Sequence, residues 1–296
     1  MKFEGIIPAL LTPFDADDEL DTKAIDPLVN RLLEQGIGGL FVCGATGEWW
    51  ALTSGERMAL VDHVMAAVAG RTKVIVHVGS TSTRFAVELA EHAARAGAAA
   101  VSTLPPAGAS HSAEAIWGYF RAIGDATDLP LYLYHFPRVY GDAITIDHFV
   151  EALDTMPTLR GVKFSSYDVD TLIDLRTRTD GRLNILSGAM EQLLSGIACG
   201  AEGSICTWYN FIPRLGNKII ECVRSGDFQG ARRHEDLAVR FAKISSPKAL
   251  GFLKWLVAMR GIKVGRPRLP VPDSTTAERD QLRPRIEALG IFDWCI

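Results

Sequence analysis

The stretch GIIPALLTPFD (5–15) decides between the two folds open to a chain that alternates strands with helices. It begins as an apolar, β-branched run, the pattern of a strand buried on both faces. A doubly wound sheet that binds a dinucleotide would follow its first strand with a G-x-G-x-x-G turn, and Thr-Pro-Phe-Asp is no such turn. Seven more runs of the same kind follow: GLFVC (39–43), KVIVHVG (73–79), AAVST (99–103), LYLYHF (131–136), LRGVKF (159–164), LNILSG (183–188) and GSICT (203–207). Amphipathic stretches separate them at 22–35, 53–69, 83–96, 112–127, 145–154, 168–179 and 191–199. Eight evenly spaced strands alternating with helices predict an α/β fold, a closed (β/α)8 TIM barrel.

The punctuation agrees. Thr53-Ser54-Gly55-Glu56 has the Thr-x-x-Glu form of a capping box and opens the second long helix. Gly36, Gly97 and Gly200 stand where helices need a left-handed stop. Beyond the eighth run the pattern changes to helices at 212–225, 227–244 and 246–260, a Pro/Gly-rich tract GIKVGRPRLPVPDS (261–274) and a last helix near 276–289. The expected organisation is a barrel core over 1–211, with 212–296 adding the last barrel helix and a helical extension in the same domain unit. The tract has the composition of a linker, but too little chain follows it to form a domain.

Composition narrows the function. The chain has 296 residues, 48% apolar and 22% charged, with a net charge of −4, which offers no basic face for nucleic acid or an anionic membrane. Five cysteines without a C-x-x-C pair read as reduced thiols in a cytoplasmic protein. The N-terminus does not read as a signal peptide, and no apolar run reaches the ~18 residues of a membrane span. Seven histidines lack H-x-H or H-E-x-x-H spacing, so no metal site is expected.

In a parallel barrel, chemistry gathers at the C-terminal ends of the strands. Those ends supply Thr12, the loop GATGE (44–48), His77, Thr103, Tyr134, Lys163 with Ser165, Ser187-Gly188, and Thr207 with Tyr209 and Asn210. No carboxylate cluster suited to magnesium is among them. Lys163 sits between Val162 and Phe164, an odd place for an ammonium. One reading is a strand end whose stem packs while its head reaches water. The other is a deliberately desolvated amine, which is a nucleophile toward a ketone. Tyr134 lies one strand earlier and further toward the active end than Tyr132 on the same face, where a phenol can relay protons. The GATGE loop can turn tightly and present N–H groups and the Thr46 hydroxyl to a carboxylate or phosphate. GAEGS (200–204) reads as helix-stop and strand-start grammar.

GATGE, YHFP (134–137), GVKFS (161–165) and GAEGSICTWYN (200–210), with ALLTPFD (9–15) and GSTST (79–83), resemble in order and spacing the pyruvate-dependent class I aldolases. That superfamily includes dihydrodipicolinate synthase and N-acetylneuraminate lyase. The resemblance covers nearly the whole chain and implies a TIM barrel with a helical extension, assembled as a homotetramer. It implies that Lys163 forms the Schiff base, that Tyr134 shuttles protons, and that Thr46 with Ala45 binds the carboxylate of pyruvate or another 2-keto acid. Many relatives carry Ser or Thr where Ala45 stands. Ser165 and Thr207 match the lyase branch's substrate-facing hydroxyls, and Gly188 and Glu191 join them as substrate-binding candidates. That branch has an Asp-Glu pair after strand seven for a polyol tail; here Met190 and Glu191 stand there.

Two synthase landmarks are missing. The arginine expected two residues after the proline of Y-x-x-P is Val139, with Arg138 one position off. LPPAGASHS (104–112) has no aromatic where the synthases donate an interface tyrosine. Trp49 and Trp50 resemble the aromatic pair of deoxy-sugar-acid dehydratases, or simply pack at a helix start. The resemblance thus implies a Schiff-base lyase acting on a small-molecule 2-keto acid, N-acetylneuraminate lyase-like, that needs no cofactor. The alternatives are a 2-keto-3-deoxy sugar-acid dehydratase, a dihydrodipicolinate synthase, a non-catalytic keto-acid-binding barrel and a metal-dependent class II aldolase.

Overall fold

In a computed structural model, which describes residues 2–107, 112–141, 144–245 and 248–296, each of the eight runs contains a strand. These are β1 (Gly5–Pro8), β2 (Leu40–Val42), β3 (Val74–His77), β4 (Ala100–Thr103), β5 (Leu131–His135), β6 (Leu159–Phe164), β7 (Asn184–Ser187) and β8 (Gly203–Cys206). All neighbouring pairs are parallel, in the order β1-β8-β7-β6-β5-β4-β3-β2. The ring closes where Ala9 bridges Phe41 and the Leu10 N–H donates to the Phe41 carbonyl at 2.8 Å. The fold is the (β/α)8 TIM barrel.

Helices α1 (Ile25–Leu33), α2 (Ser54–Val68), α3 (Thr83–Arg95) and α4 (Ala113–Asp125) follow the first four strands. A short α5 (Pro137–Tyr140) precedes α6 (Ile146–Thr155); α7 (Val169–Arg178), α8 (Leu193–Ala198) and α9 (Pro213–Arg224) complete the ring. The expected capping box is present: Glu56 N–H donates to Thr53 Oγ1 at 3.2 Å, and Thr53 N–H donates back to Glu56 Oε2 at 2.8 Å. The strands are buried on both faces because outward residues pack under the helices while inward ones fill the barrel. Two apolar clusters result. A large one lies between strands and helices, and a small one inside the ring includes Phe3, Ile7, Phe41, Ile75, Tyr132, Leu186 and Ile205.

Beyond the barrel, α10 (Phe228–Ser245), α11 (Ala249–Met259) and α12 (Thr276–Glu287) form the extension, and α10 packs on both α8 and α9. The 261–274 tract is not a loose tether. Arg268 on it donates to the Asp18 and Ala51 carbonyls and to Glu56, so it binds the loops after β1 and β2. No helix among the described residues is long and apolar enough to cross a membrane.

The barrel floor is set by one side chain. Tyr132 is wholly buried, its hydroxyl donating to Asn184 Oδ1 at 2.7 Å and its ring edge-on to Phe3. Gly161 is its ladder partner on β6. A Cβ at Gly161 would sit 2.1 Å from the Tyr132 ring and 2.7 Å from the Asn184 carbonyl oxygen. Gly161→Ala should therefore lower stability by about 2–3 kcal/mol, the scale of an overpacked core, read as an earlier urea midpoint. An unchanged midpoint would mean that the ring yields freely.

Candidate active site

Above that floor the next inward layer is polar. On β6, two residues beyond Gly161, Lys163 points into the barrel and is 4% exposed. Its ladder neighbour on β5 is Tyr134, and its Nζ lies 4.1 Å from the centre of the Tyr134 ring and 4.5 Å from that of Phe41. No carboxylate is within ion-pairing distance of Lys163 among the described residues. The head of this lysine does not snorkel to water; it is held between two aromatic faces. Tyr134 is stacked on Phe136 at 5.5 Å and lines the space above, whereas Tyr132 is committed to the floor.

The space above is a cavity of about 500 Å³ lined by Ala45, Tyr134, Arg138, Ser165, Gly188 and Thr207 among others. Across its rim the hydroxyls of Thr46 and Thr207 meet at 2.7 Å, joining the loop after β2 to the end of β8. The loop is held from below, where Thr12 Oγ1 donates to the Gly47 carbonyl at 2.7 Å, and is closed by the Glu48 N–H to the Ala45 carbonyl at 3.0 Å. Ser165 Oγ is buried with no hydrogen-bond partner among the described residues. Gly188 works by what it lacks: a Cβ there would fall 1.8 Å from Ser165 Oγ.

Of the other expected positions, Glu191 lies partly buried on the single turn Met190–Gln192, just outside the cavity lining. Met190 is fully buried in the strand–helix core and does not face the cavity. Trp49 packs edge-on to Trp50 and over the Arg57 guanidinium at 5.7 Å, so the pair stands apart from the cavity lining. Arg138 does line the cavity, so a one-residue offset in the motif has not taken an arginine out of the site. Within the loop 104–112, residues 108–111 lie outside the described residues. No group of three or more His, Cys, Asp or Glu among the described residues is arranged to hold a metal ion.

Tyr167 and Asp168, after β6, also line the cavity and were not singled out from sequence, although their place after a strand end was the available signal. Burial, then the Glu191 carboxylate, raises the Tyr167 phenol above its ordinary range, while Arg138 opposes them. Burial chiefly, with Glu191 adding, pushes the Cys206 thiol up to about 12. His77, inward on β3, shares an Nδ1 hydrogen bond with the Cys43 carbonyl at 3.0 Å. Burial first, then the Arg57 guanidinium, holds His77 well below its ordinary value of 6.5.

A closed parallel barrel with a buried lysine near the end of its sixth strand, unpaired among the described residues, is an arrangement found among barrel enzymes. A model of the dihydrodipicolinate synthetase family matches residues 2–289, and the chain belongs to that family of lyases and aldolases. It is 34% identical over 288 residues, 97% of this chain and 95% of the relative, to the N-acetylneuraminate lyase of Rhizobium meliloti (strain 1021). It superposes on a catalytic lysine mutant of the Ruminococcus gnavus sialic acid aldolase with a TM-score of 0.94 and 26% identity, covering 98% of this chain and 97% of that one. YagE, a prophage protein of the dihydrodipicolinic acid synthase family from E. coli K12 in complex with pyruvate, superposes with a TM-score of 0.92 and 26% identity, covering 98% and 99%.

Two measurements follow. Since the unfolded chain binds a proton at His77 before the folded one does, this group stabilises the fold above pH ~6.5 and the contribution is lost as pH falls below it. The stability difference between the parent protein and His77→Asn should shrink progressively on acidification from pH 7 to pH 5; a pH-independent difference would contradict a neutral His77. Cys206 should resist iodoacetamide at pH 8 in the folded protein and react after unfolding, as peptide mapping would show.

Proposed function

We propose that the protein is a Schiff-base lyase that cleaves, and in reverse assembles, a pyruvate-derived sugar acid of the N-acetylneuraminate kind, with Lys163 as nucleophile. The observation that carries this reading is the buried Lys163 Nζ, unpaired with any carboxylate among the described residues and set beside Tyr134. The N-acetylneuraminate lyase among the relatives supports the substrate class, and the pyruvate complex of YagE supports the keto-acid half.

The chemistry follows from the geometry. The neutral amine of Lys163 attacks the C2 carbonyl of the keto acid, and loss of water from the carbinolamine gives an iminium. Thr46 and the N–H groups of its loop hold the C1 carboxylate, which fixes C2 over the amine. With the iminium as electron sink, removal of the C4 hydroxyl proton breaks the C3–C4 bond and releases an aldehyde. The electron pair of that bond becomes the C2–C3 double bond of an enamine. Protonation at C3 and hydrolysis return pyruvate and the free lysine. Tyr134 moves these protons, and Ser165 and Thr207 offer hydroxyls to the departing half.

A second reading rests on Arg138 lining the cavity. A guanidinium there suits an aldehyde acceptor with its own carboxylate, as in a synthase. Screening sugar aldehydes against carboxylated aldehydes as acceptors for pyruvate separates the two.

Incubation with pyruvate and borohydride should add one pyruvate-derived mass to the intact protein, located on Lys163 and absent from Lys163→Ala. Absence of the adduct with retained pyruvate binding would leave a non-catalytic barrel. Tyr134→Phe should still form the adduct slowly but lose turnover by roughly 10²–10⁴-fold, the range for a positioned proton carrier. Unchanged turnover would move the proton relay to another group.

A further inference from the structure

The loop that is to hold a carboxylate carries a carboxylate of its own. Glu48, two residues after Thr46, is wholly buried, so water does not screen its charge. Its backbone is left-handed, with φ 56°, and its Oε2 accepts the Arg268 N–H at 2.8 Å, which ties the loop to the 261–274 tract. The carboxylate is therefore a useful anchor, but alone it would repel the anion that the loop binds.

Lys254 answers that charge. It rises from α11, is 1% exposed, and places Nζ 2.8 Å from Glu48 Oε1. The same ammonium lies 4.4 Å over the Phe14 ring and donates to the Arg266 carbonyl at 3.0 Å. The other charges nearby are already committed. The Arg268 guanidinium is paired with Glu56 at 2.5 Å, Asp273 with Arg279 at 2.8 Å, and Asp18 faces Arg266 at 3.9 Å. The Arg268 guanidinium shares the Phe14 ring with Lys254, at 4.2 Å, but among the described residues Lys254 makes the one ion pair to Glu48.

We infer that Lys254 is a positioning residue that lets the GATGE loop keep Glu48 as its anchor while remaining receptive to the substrate carboxylate. This rests on the reading of that loop as the keto-acid site. Removing one partner of a buried pair leaves an uncompensated charge, whereas removing both is commonly tolerated. The role is thus electrostatic and separable from packing.

The test compares Lys254→Met, Lys254→Arg and the double variant Glu48→Gln/Lys254→Met in the full chain. The readouts are the concentration dependence of borohydride trapping on Lys163, and direct binding by calorimetry, each with pyruvate and with neutral pyruvamide. Lys254→Met should raise the half-saturating pyruvate concentration on the order of tenfold, as expected for one buried like charge within a loop's length. Pyruvamide should change by less than about twofold on the same electrostatic ground. Lys254→Arg and the double variant should return pyruvate to near the parent value. Equal losses for both probes, or a double variant no better than the single one, overturn the inference. Should Lys254→Met not fold, selective loss of pyruvate by the double variant overturns it as well. If the parent protein binds pyruvate without forming an adduct, the Lys163 reading fails, and calorimetry still decides the role of Lys254.

Discussion

Everything in the site is referred to one steric fact, the Tyr132 ring lying across the barrel opposite a glycine. Inward residues of a parallel barrel stack in layers, and the bulk of one layer fixes the height of the next. Because Gly161 yields its place to Tyr132, the β6 position two residues on becomes the lowest at which a long side chain can enter the barrel. That position is Lys163. Tyr134 from β5 and Phe41 from β2 reach the same height, so the amine meets aromatic faces instead of water. The burial of Lys163 is thus a by-product of how the floor is packed.

The rim obeys a different logic. Its hydroxyl pair joins the second strand to the eighth, and its loop is braced from beneath by Thr12 on the chain leaving the first. Strands one, two and eight meet where the ring closes, so the hydrogen bonds that brace this loop lie beside those that close the barrel. A loop so braced presents its hydroxyl with little reorganisation, which favours binding over flexibility.

Most of the architecture was legible because strand runs, caps and stops are local signals, and each of the eight runs holds its strand. Lys163 was legible for the opposite reason: it violates the local pattern, and the barrel rule says what a violation at that height does. Lys254 violates the pattern in the same way, between Leu253 and Trp255, yet was passed over because it lies on a helix outside the barrel ring, where no strand-end rule applies. Its partner, Glu48, looked like part of an anion-binding loop. Only three-dimensional proximity shows that the two belong together. Met190 and Arg138 carry the same lesson. A position after a strand can face the core or the cavity, and a short turn such as α5 shifts which residue does so.

Glu48 and the backbone of Arg268 are hydrogen-bonded across 220 residues of chain. That contact cannot form until the 261–274 tract has been made, after all eight strands of the barrel. A chain emerging from synthesis with its barrel strands complete still lacks the Arg268 contact that holds Glu48. The loop after the second strand is therefore tethered only when the 261–274 tract has joined the barrel, and a chain cut short before that tract would be a barrel without this tie between its second strand and its last helices.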